Sequence, residues 1–111
     1  MVQSSLGALE ILKENGIDPT IIDVCAIKPT DEEGITKILS ENDEIFTVEE
    51  HSITGGLGSM ICEVAADNCP KRIHRLGMKG FGQSADWKTL LQEYKLDAQG
   101  VAEQILNILQ K

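Results

Sequence analysis

Two carboxylates and a histidine precede a glycine-rich turn near the middle of this 111-residue sequence. Glu49, Glu50 and His51 are side chains that serve elsewhere as general acids and bases. Successive side chains of a strand point to opposite faces, so Glu49 and Glu50 are not expected to act as a pair. We interpret the segment as a solvated strand end with an interface residue, and we assign no catalytic residue to the chain.

The turn that follows opens a periodic helix. A helix N-terminus presents free N–H groups that can hold an anion. The candidate anion-binding residues are Gly55, Gly56, Gly58 and Ser59. The turn does not match the dinucleotide fingerprint, because Ile61 stands where a third small residue is required, and no Gly-Lys-Ser/Thr follows. Tight packing of the helix against the strand is the favoured interpretation, and contact with an anion or a partner subunit stays open.

Three residues are candidates for contact with another domain or subunit. They are Lys28, Glu50 and His51. Lys28 also has a structural explanation, since the proline after it ends an apolar run and acidic residues then begin a helix. Neither His51 nor His74 has metal-ligand spacing to a cysteine or a carboxylate run, so no metal site is predicted.

Helices and strands alternate along the chain and would position these residues. Five helices are expected, at Met1–Asn15, after a cap at Thr30 or Asp31, from Leu57 to a stop at Cys69-Pro70, at Trp87–Tyr94, and after a cap at Asp97. Three strands are expected, at Thr20–Ile27, Glu44–Glu50 and Arg72–Leu76. Such alternation predicts an α/β fold, a three-layer α/β/α sandwich with a mainly parallel sheet. The apolar first strand suits burial on both faces, whereas the polar third strand suits an edge.

Composition limits the possible classes. One domain covering residues 1–111 is expected, and 41% apolar with 25% charged residues is typical of a globular protein. The net charge of −8 disfavours nucleic-acid binding, which needs clustered cations. The sequence contains neither a signal peptide nor a run of 18 apolar residues, so no contact with a membrane is predicted. Three cysteines outside any C-x-x-C pattern are typical of a reduced, cytoplasmic protein.

Four segments carry a resemblance to a known family. They are Ile27-Lys28-Pro29-x-Asp31-Glu32-Glu33, Thr47-Val48-Glu49-Glu50-His51 with Gly55-Gly56-Leu57-Gly58-Ser59, Phe81-Gly82-x-Ser84, and Leu90-Leu91-x-Glu93-Tyr94-x-Leu96-Asp97-Ala98-x-Gly100. In this order they resemble the C-terminal domain of transketolases over essentially the whole chain. Glu-Glu-His before the glycines favours transketolase over the equivalent domain of deoxyxylulose-phosphate synthases or 2-oxo-acid dehydrogenase β subunits, which is the alternative.

The resemblance implies a whole enzyme of pentose phosphate metabolism that moves a two-carbon ketol unit from a ketose phosphate to an aldose. In the family, thiamine diphosphate and Mg²⁺ are bound by two other domains, through a Gly-Asp-Gly…Asn signature that this sequence lacks. The third domain mostly supports the dimer. We therefore expect no cofactor on this chain, no activity from it alone, other transketolase domains or a subunit as partners, and a homo-oligomer.

Two departures from the family pattern are present. The family domain has a strand before its first helix, whereas this sequence starts within that helix. We expect either that the chain is a fragment or that another chain or a rearrangement fills the place of the missing strand. Lys79-Gly80 stands where the family has an Asp before Phe-Gly. Other classes also stay open: a free-standing regulatory module that binds a phosphorylated metabolite at residues 55–59, and a flavodoxin-like or receiver-like domain.

Overall fold

The computed structural model describes residues 1–24, 30–52, 55–78 and 91–110. Its elements are α1 (Val2–Glu14), α2 (Glu32–Glu41), β1 (Ile45–Ser52), α3 (Leu57–Asn68), β2 (Ile73–Met78) and α4 (Ala98–Leu109). Of the helices in these ranges, none is both long and apolar enough to cross a bilayer.

The two described strands pair in parallel. Ile45 lies opposite Ile73 and Val48 opposite Leu76, and an irregularity follows before the pairing resumes near Ser52. Helix α3 makes the crossover that a parallel pair requires. Because both strands run the same way, their carboxyl ends meet at one edge of the sheet, next to the start of α3.

Helices cover both faces of this sheet. On one face, α1 and α4 bury a cluster that Phe46 and Val48 of β1 join: Ala8, Leu12, Leu76, Leu96, Val101, Ala102 and Ile105. On the other face, α2 and α3 bury a second cluster that Ile45 and Ile73 join: Ile35, Leu39, Met60, Ile61, Val64 and Ala65. Alternate residues of β1 therefore serve opposite cores, as the pleat requires. The predicted α/β/α layering with a parallel sheet is confirmed for the described residues.

Helix ends follow the local sequence. Gly16 takes a left-handed φ of +81° after α1. The N–H of Gly16 donates to the carbonyl of Lys13, and that of Ile17 to the carbonyl of Leu12, the double bond typical of a glycine-terminated helix. Asp97 is the N-cap of α4, as predicted, and Asp31 rather than Thr30 is the N-cap of α2.

The strand boundaries differ from the expectation in two places. Thr20–Val24, the described part of the first expected strand, is not assigned to a strand, and Ile22 is 47% exposed. β-branched residues favour a sheet, but a strand also needs backbone partners and cover, which sequence does not report. Residues 25–27 lie outside the described ranges. β1 also continues through His51 and Ser52, beyond the expected end of the strand at Glu50.

Half of the expected helix Trp87–Tyr94, residues 87–90, lies outside the described ranges. Within them, residues 91–93 are helical. Lys79-Gly80 and the segment from Phe81 to Ser84 are outside as well. The expected third strand is present as β2, displaced by one residue at its start and two at its end.

Candidate functional site

The carboxyl edge of the sheet carries the acidic pair that the sequence singles out. Glu49 is buried, with 6% of its surface exposed, whereas Glu50 is exposed. Glu49 faces the α2–α3 layer, on the same side of β1 as Ile45 and Thr47. The expectation that the two carboxylates point to opposite faces is confirmed, and they form no dyad.

The buried carboxylate of Glu49 binds the beginning of α3. Its Oε1 accepts the N–H of Leu57 at 2.9 Å, and its Oε2 accepts the N–H of Gly58 at 2.8 Å. These are the first two residues of α3, whose N–H groups have no acceptor within the helix. The negative charge also lies at the positive end of the helix dipole. Glu49 is therefore the N-terminal cap of α3, contributed from the preceding strand.

Glycine at position 58 makes this contact possible. A Cβ there would lie 2.9 Å from Oε2 of Glu49 and 2.9 Å from both Cγ and Cδ of Arg75. Arg75 belongs to β2, opposite Thr47 of β1. The start of α3 thus packs directly on side chains from both strands, so the predicted tight packing of helix on strand is confirmed.

The turn before α3 is closed by its own hydrogen bond. Gly55 has a φ of +81°, a left-handed conformation that glycine adopts without strain. Its N–H donates to Oγ of Ser59 at 2.8 Å. Gly56, the N-cap residue, has no side chain to offer, which leaves the role of capping to Glu49.

The four candidate anion-binding residues, Gly55, Gly56, Gly58 and Ser59, are brought together in this turn. An external anion that approached the N–H of Gly58 would meet the carboxylate of Glu49, which is already bound there. Anion binding at this turn stays a prediction.

The capping role of Glu49 was missed from the sequence. A signal was present, because Glu49 falls on the same strand face as the apolar Ile45, and no Ser, Thr, Asp or Asn stands where α3 begins. An acidic residue on a buried strand face before an uncapped helix is a candidate for such a cap.

Of the three candidate contact residues, the structure describes the side chain of one. Glu50 lies exposed at the carboxyl edge. His51 follows it in β1, but its side chain is outside the described part of the structure, and so is the whole of Lys28. Their contact with another domain or subunit stays a prediction.

The opposite edge of the sheet holds a shallow polar cavity of about 340 Å³. It is lined by Asp43, Glu44, Lys71, Arg72, His74 and Ile108. Nε2 of His74 lies 2.9 Å from Oε2 of Glu44, and the imidazole stacks on Phe46 with ring centroids 4.8 Å apart. Nζ of Lys71 donates to the carbonyls of Leu39 and Asn42 at the end of α2. These contacts give the His and Lys side chains structural roles.

Comparisons with known proteins agree with this architecture. The chain is 44% identical over 112 residues to a protein of Methanocaldococcus jannaschii named as a transketolase C-terminal section, covering 99% of this chain and 34% of that protein. It is 41% identical over 108 residues to the 1-deoxy-D-xylulose-5-phosphate synthase of Caldanaerobacter subterraneus subsp. tengcongensis, covering 96% of this chain and 17% of the synthase.

A solved structure titled as a split gene transketolase, inactive beta4 tetramer, superposes with a TM-score of 0.82 at 29% identity. The match covers 94% of this chain and 33% of that one. The chain thus spans about a third of the archaeal relative and of the solved structure. The family model described as transketolase, C-terminal domain, matches residues 1–101. The chain belongs to the transketolase C-terminal domain family.

Proposed function

We propose that this chain is the C-terminal assembly domain of a thiamine-diphosphate-dependent transketolase, and that it has no catalytic activity alone. The complete enzyme transfers a two-carbon ketol unit between sugar phosphates in cytoplasmic pentose phosphate metabolism. The observation that carries the proposal is the match itself, which uses 99% of this chain but 34% of the archaeal relative. We assign the ketol transfer to a polypeptide that corresponds to the part of the archaeal relative that this chain does not match.

The start of α3 is already occupied by a side chain of this chain. A diphosphate is best held by free N–H groups at a helix N-terminus, and those of Leu57 and Gly58 are bound by Glu49. Within residues 1–24, 30–52, 55–78 and 91–110, no group of three His, Cys, Asp or Glu side chains could hold a metal ion. We propose that thiamine diphosphate and Mg²⁺ are bound by the partner polypeptide.

The carboxyl edge is our proposed contact with that partner. Glu49 ties the end of β1 to the start of α3 by two hydrogen bonds, and Glu50 lies exposed beside it. His51, the next residue of β1, is proposed as a contact as well. Lys28 is proposed as a further contact. A charged residue beside a fixed turn favours docking in one orientation more than it adds affinity.

Reconstitution tests the proposal. The chain is purified alone and together with a transketolase polypeptide that carries the Gly-Asp-Gly…Asn signature, and ketol transfer is measured with thiamine diphosphate and Mg²⁺. We expect no turnover from the chain alone and turnover from the mixture. Robust turnover by the chain alone would overturn the proposal.

Two matched variants test the docking edge. Glu50→Ala is expected to weaken co-elution with the partner, whereas Glu103→Ala, at an exposed position of α4, leaves co-elution unchanged. Equal effects of the two variants would remove the edge from the interface.

A second candidate is supported by the 41% identity to a 1-deoxy-D-xylulose-5-phosphate synthase. The same mixture distinguishes the two functions. Formation of 1-deoxy-D-xylulose 5-phosphate without ketol exchange between sugar phosphates would favour the synthase.

We also propose that the chain forms a homo-oligomer, because the solved neighbour is titled as a beta4 tetramer. Light scattering after size-exclusion chromatography gives the mass directly. A mass of 12.1 kDa at every concentration, that of one chain, would contradict self-association.

A further inference from the structure

The start of α3 has the features of an anion site that already contains an anion. Both carboxylate oxygens of Glu49 accept a backbone N–H, at 2.9 and 2.8 Å, within the range of charge-assisted hydrogen bonds. The Glu49 residue is 6% exposed, so water does not replace these partners readily. We infer that Glu49 is the resident ligand of this site, that it excludes external anions, and that its removal opens a site for a small carboxylate.

Covalent attachment favours Glu49 over a free anion whose concentration is below the effective concentration of the tethered carboxylate. A tethered group acts at a high effective concentration, on the order of millimolar or more. β1 holds Glu49 in place from one side, since Thr47 and Val48 before it pair with β2. A free anion would have to displace a ligand that never diffuses away.

Displacement would also leave a charge without partners. If a phosphate took the N–H groups of Leu57 and Gly58, Glu49 would keep a buried negative charge beside a second one. Breaking a buried charged contact by removing its partner is strongly unfavourable. The native chain is therefore not expected to bind a phosphorylated metabolite here. This expectation argues against a regulatory module that binds such a metabolite at residues 55–59.

The vacated site has the size and chemistry for a small carboxylate. Gly58 has no Cβ, so Oε2 of Glu49 lies 2.9 Å from the place where a Cβ would be. Replacing Glu49 by Ala removes the two oxygens and leaves two N–H donors facing the space. Formate has the same two oxygens and is the probe of choice.

Amide hydrogen exchange tests the resident ligand in the native chain. We expect the N–H groups of Leu57 and Gly58 to exchange slowly, although N–H groups in the first turn of a helix ordinarily lack protection. In Glu49→Gln they exchange at least tenfold faster, because the amide offers one acceptor oxygen and a competing donor. Glu50→Gln, at the exposed neighbouring carboxylate, leaves both rates unchanged. Exchange as fast in the native chain as in Glu49→Gln would overturn the inference.

Thermal unfolding tests the vacated site. Glu49→Ala is expected to lower Tm by roughly 10 °C, because two buried donors lose their acceptor. Sodium formate then raises the Tm of Glu49→Ala, saturably, above a sodium chloride control of equal ionic strength. Formate and inorganic phosphate leave the native Tm at the chloride value.

Two results in thermal unfolding would contradict the inference. A rise in the native Tm with phosphate as large as that of the variant with formate would show that Glu49 does not exclude anions. A folded Glu49→Ala that formate does not stabilise would show that no site opens. If Glu49→Ala does not fold, the inference is tested by amide hydrogen exchange of Leu57 and Gly58 in the native chain and in Glu49→Gln. None of these readouts involves catalysis, so they are independent of the proposed enzyme.

Discussion

Three helices of this chain begin with a carboxylate bound to the N–H of a glycine, but they obtain the carboxylate in two ways. In α2, Oδ1 of Asp31 accepts the N–H of Gly34 at 3.0 Å. In α4, Oδ1 of Asp97 accepts the N–H of Gly100 at 2.9 Å. Each cap lies three residues from its glycine, so the same Asp-x-x-Gly sequence can form it before any tertiary structure exists.

The third helix depends on the fold. Glu49 reaches Gly58 across nine residues of sequence, and its position requires that β1 is already in the sheet. The first residues of α2 and α4 are therefore determined by local sequence, whereas the first residue of α3 is determined by the packing of this helix on the strands. Substitutions at the glycines and acids of these caps should therefore lower the free energy of unfolding by different amounts.

The largest effect is expected for Gly100→Ala in α4. A Cβ at this position would lie 2.6 Å from both Cα and the carbonyl carbon of Lys95, which are main-chain atoms that cannot rotate away. Lys95 already has a φ of +56°. We expect a loss of about 3 kcal/mol in the free energy of unfolding, measured by urea denaturation.

Gly34→Ala is the matched control in α2. A Cβ there would meet Oδ2 of Asp31, the end of an exposed side chain that can move. Loss of the cap costs about 1 kcal/mol and the higher helix propensity of Ala offsets it by a similar amount, so little change is expected. A loss equal to that of Gly100→Ala would show that the backbone contact at Lys95 is not the cause.

Gly58→Ala is expected to have the second largest effect. The new Cβ would displace Oε2 of Glu49 or the side-chain stem of Arg75. We expect a loss of about 2 kcal/mol in the free energy of unfolding, since a buried hydrogen bond is broken and the crowding adds strain. Urea denaturation of Gly58→Ala beside Gly34→Ala checks this prediction. Equal stability of the two variants would mean that the non-local cap tolerates a Cβ as well as the local one does.

Removing the local caps should have a smaller effect. Asp97→Ala is expected to lower the free energy of unfolding by about 1 kcal/mol, the typical value for an N-cap. Asp31→Ala should cost less, because its hydrogen bond is exposed whereas that of Asp97 is partly buried. Thermal unfolding ranks the two variants, and the reverse order would show that burial does not control the strength of these caps.

The smallest effect is expected for Thr47→Val, two residues before Glu49 on the same strand face. Thr47 is 5% exposed, and its Oγ1 finds no hydrogen-bond partner in the part of the chain that the structure describes. Replacing an unsatisfied hydroxyl by a methyl group should leave the free energy of unfolding unchanged or raise it by up to about 1 kcal/mol. A clear loss in urea denaturation would reveal a partner for the hydroxyl.

The same contrast explains what the sequence could predict. The caps of α2 and α4 are local patterns: Asp97 was predicted, and Asp31 was one of the two candidates for α2. The end of the first helix at Asn15 was placed within one residue. Apart from the first expected strand, the order of the described helices and strands followed from apolar periodicity, and so did the layering.

What could not be predicted depends on distant partners. The role of Glu49 needed the three-dimensional position of α3, and the continuation of β1 through His51 and Ser52 needed its pairing with β2. Thr20–Val24 has the composition of a strand but is not assigned to one. Composition reports how a side chain suits a sheet, and it does not report which backbone lies beside it.

The contact of Lys71 with the end of α2 has a chemical consequence. Its ammonium group neutralises partial negative charge on the carbonyls of Leu39 and Asn42, and it must leave these carbonyls and lose a proton to solvent before the nitrogen can act as a nucleophile. Amine-reactive labels should therefore modify the exposed Lys37 well before Lys71. Acylation of Lys71 would leave the last turn of α2 without its cation and loosen the link between that helix and the start of β2.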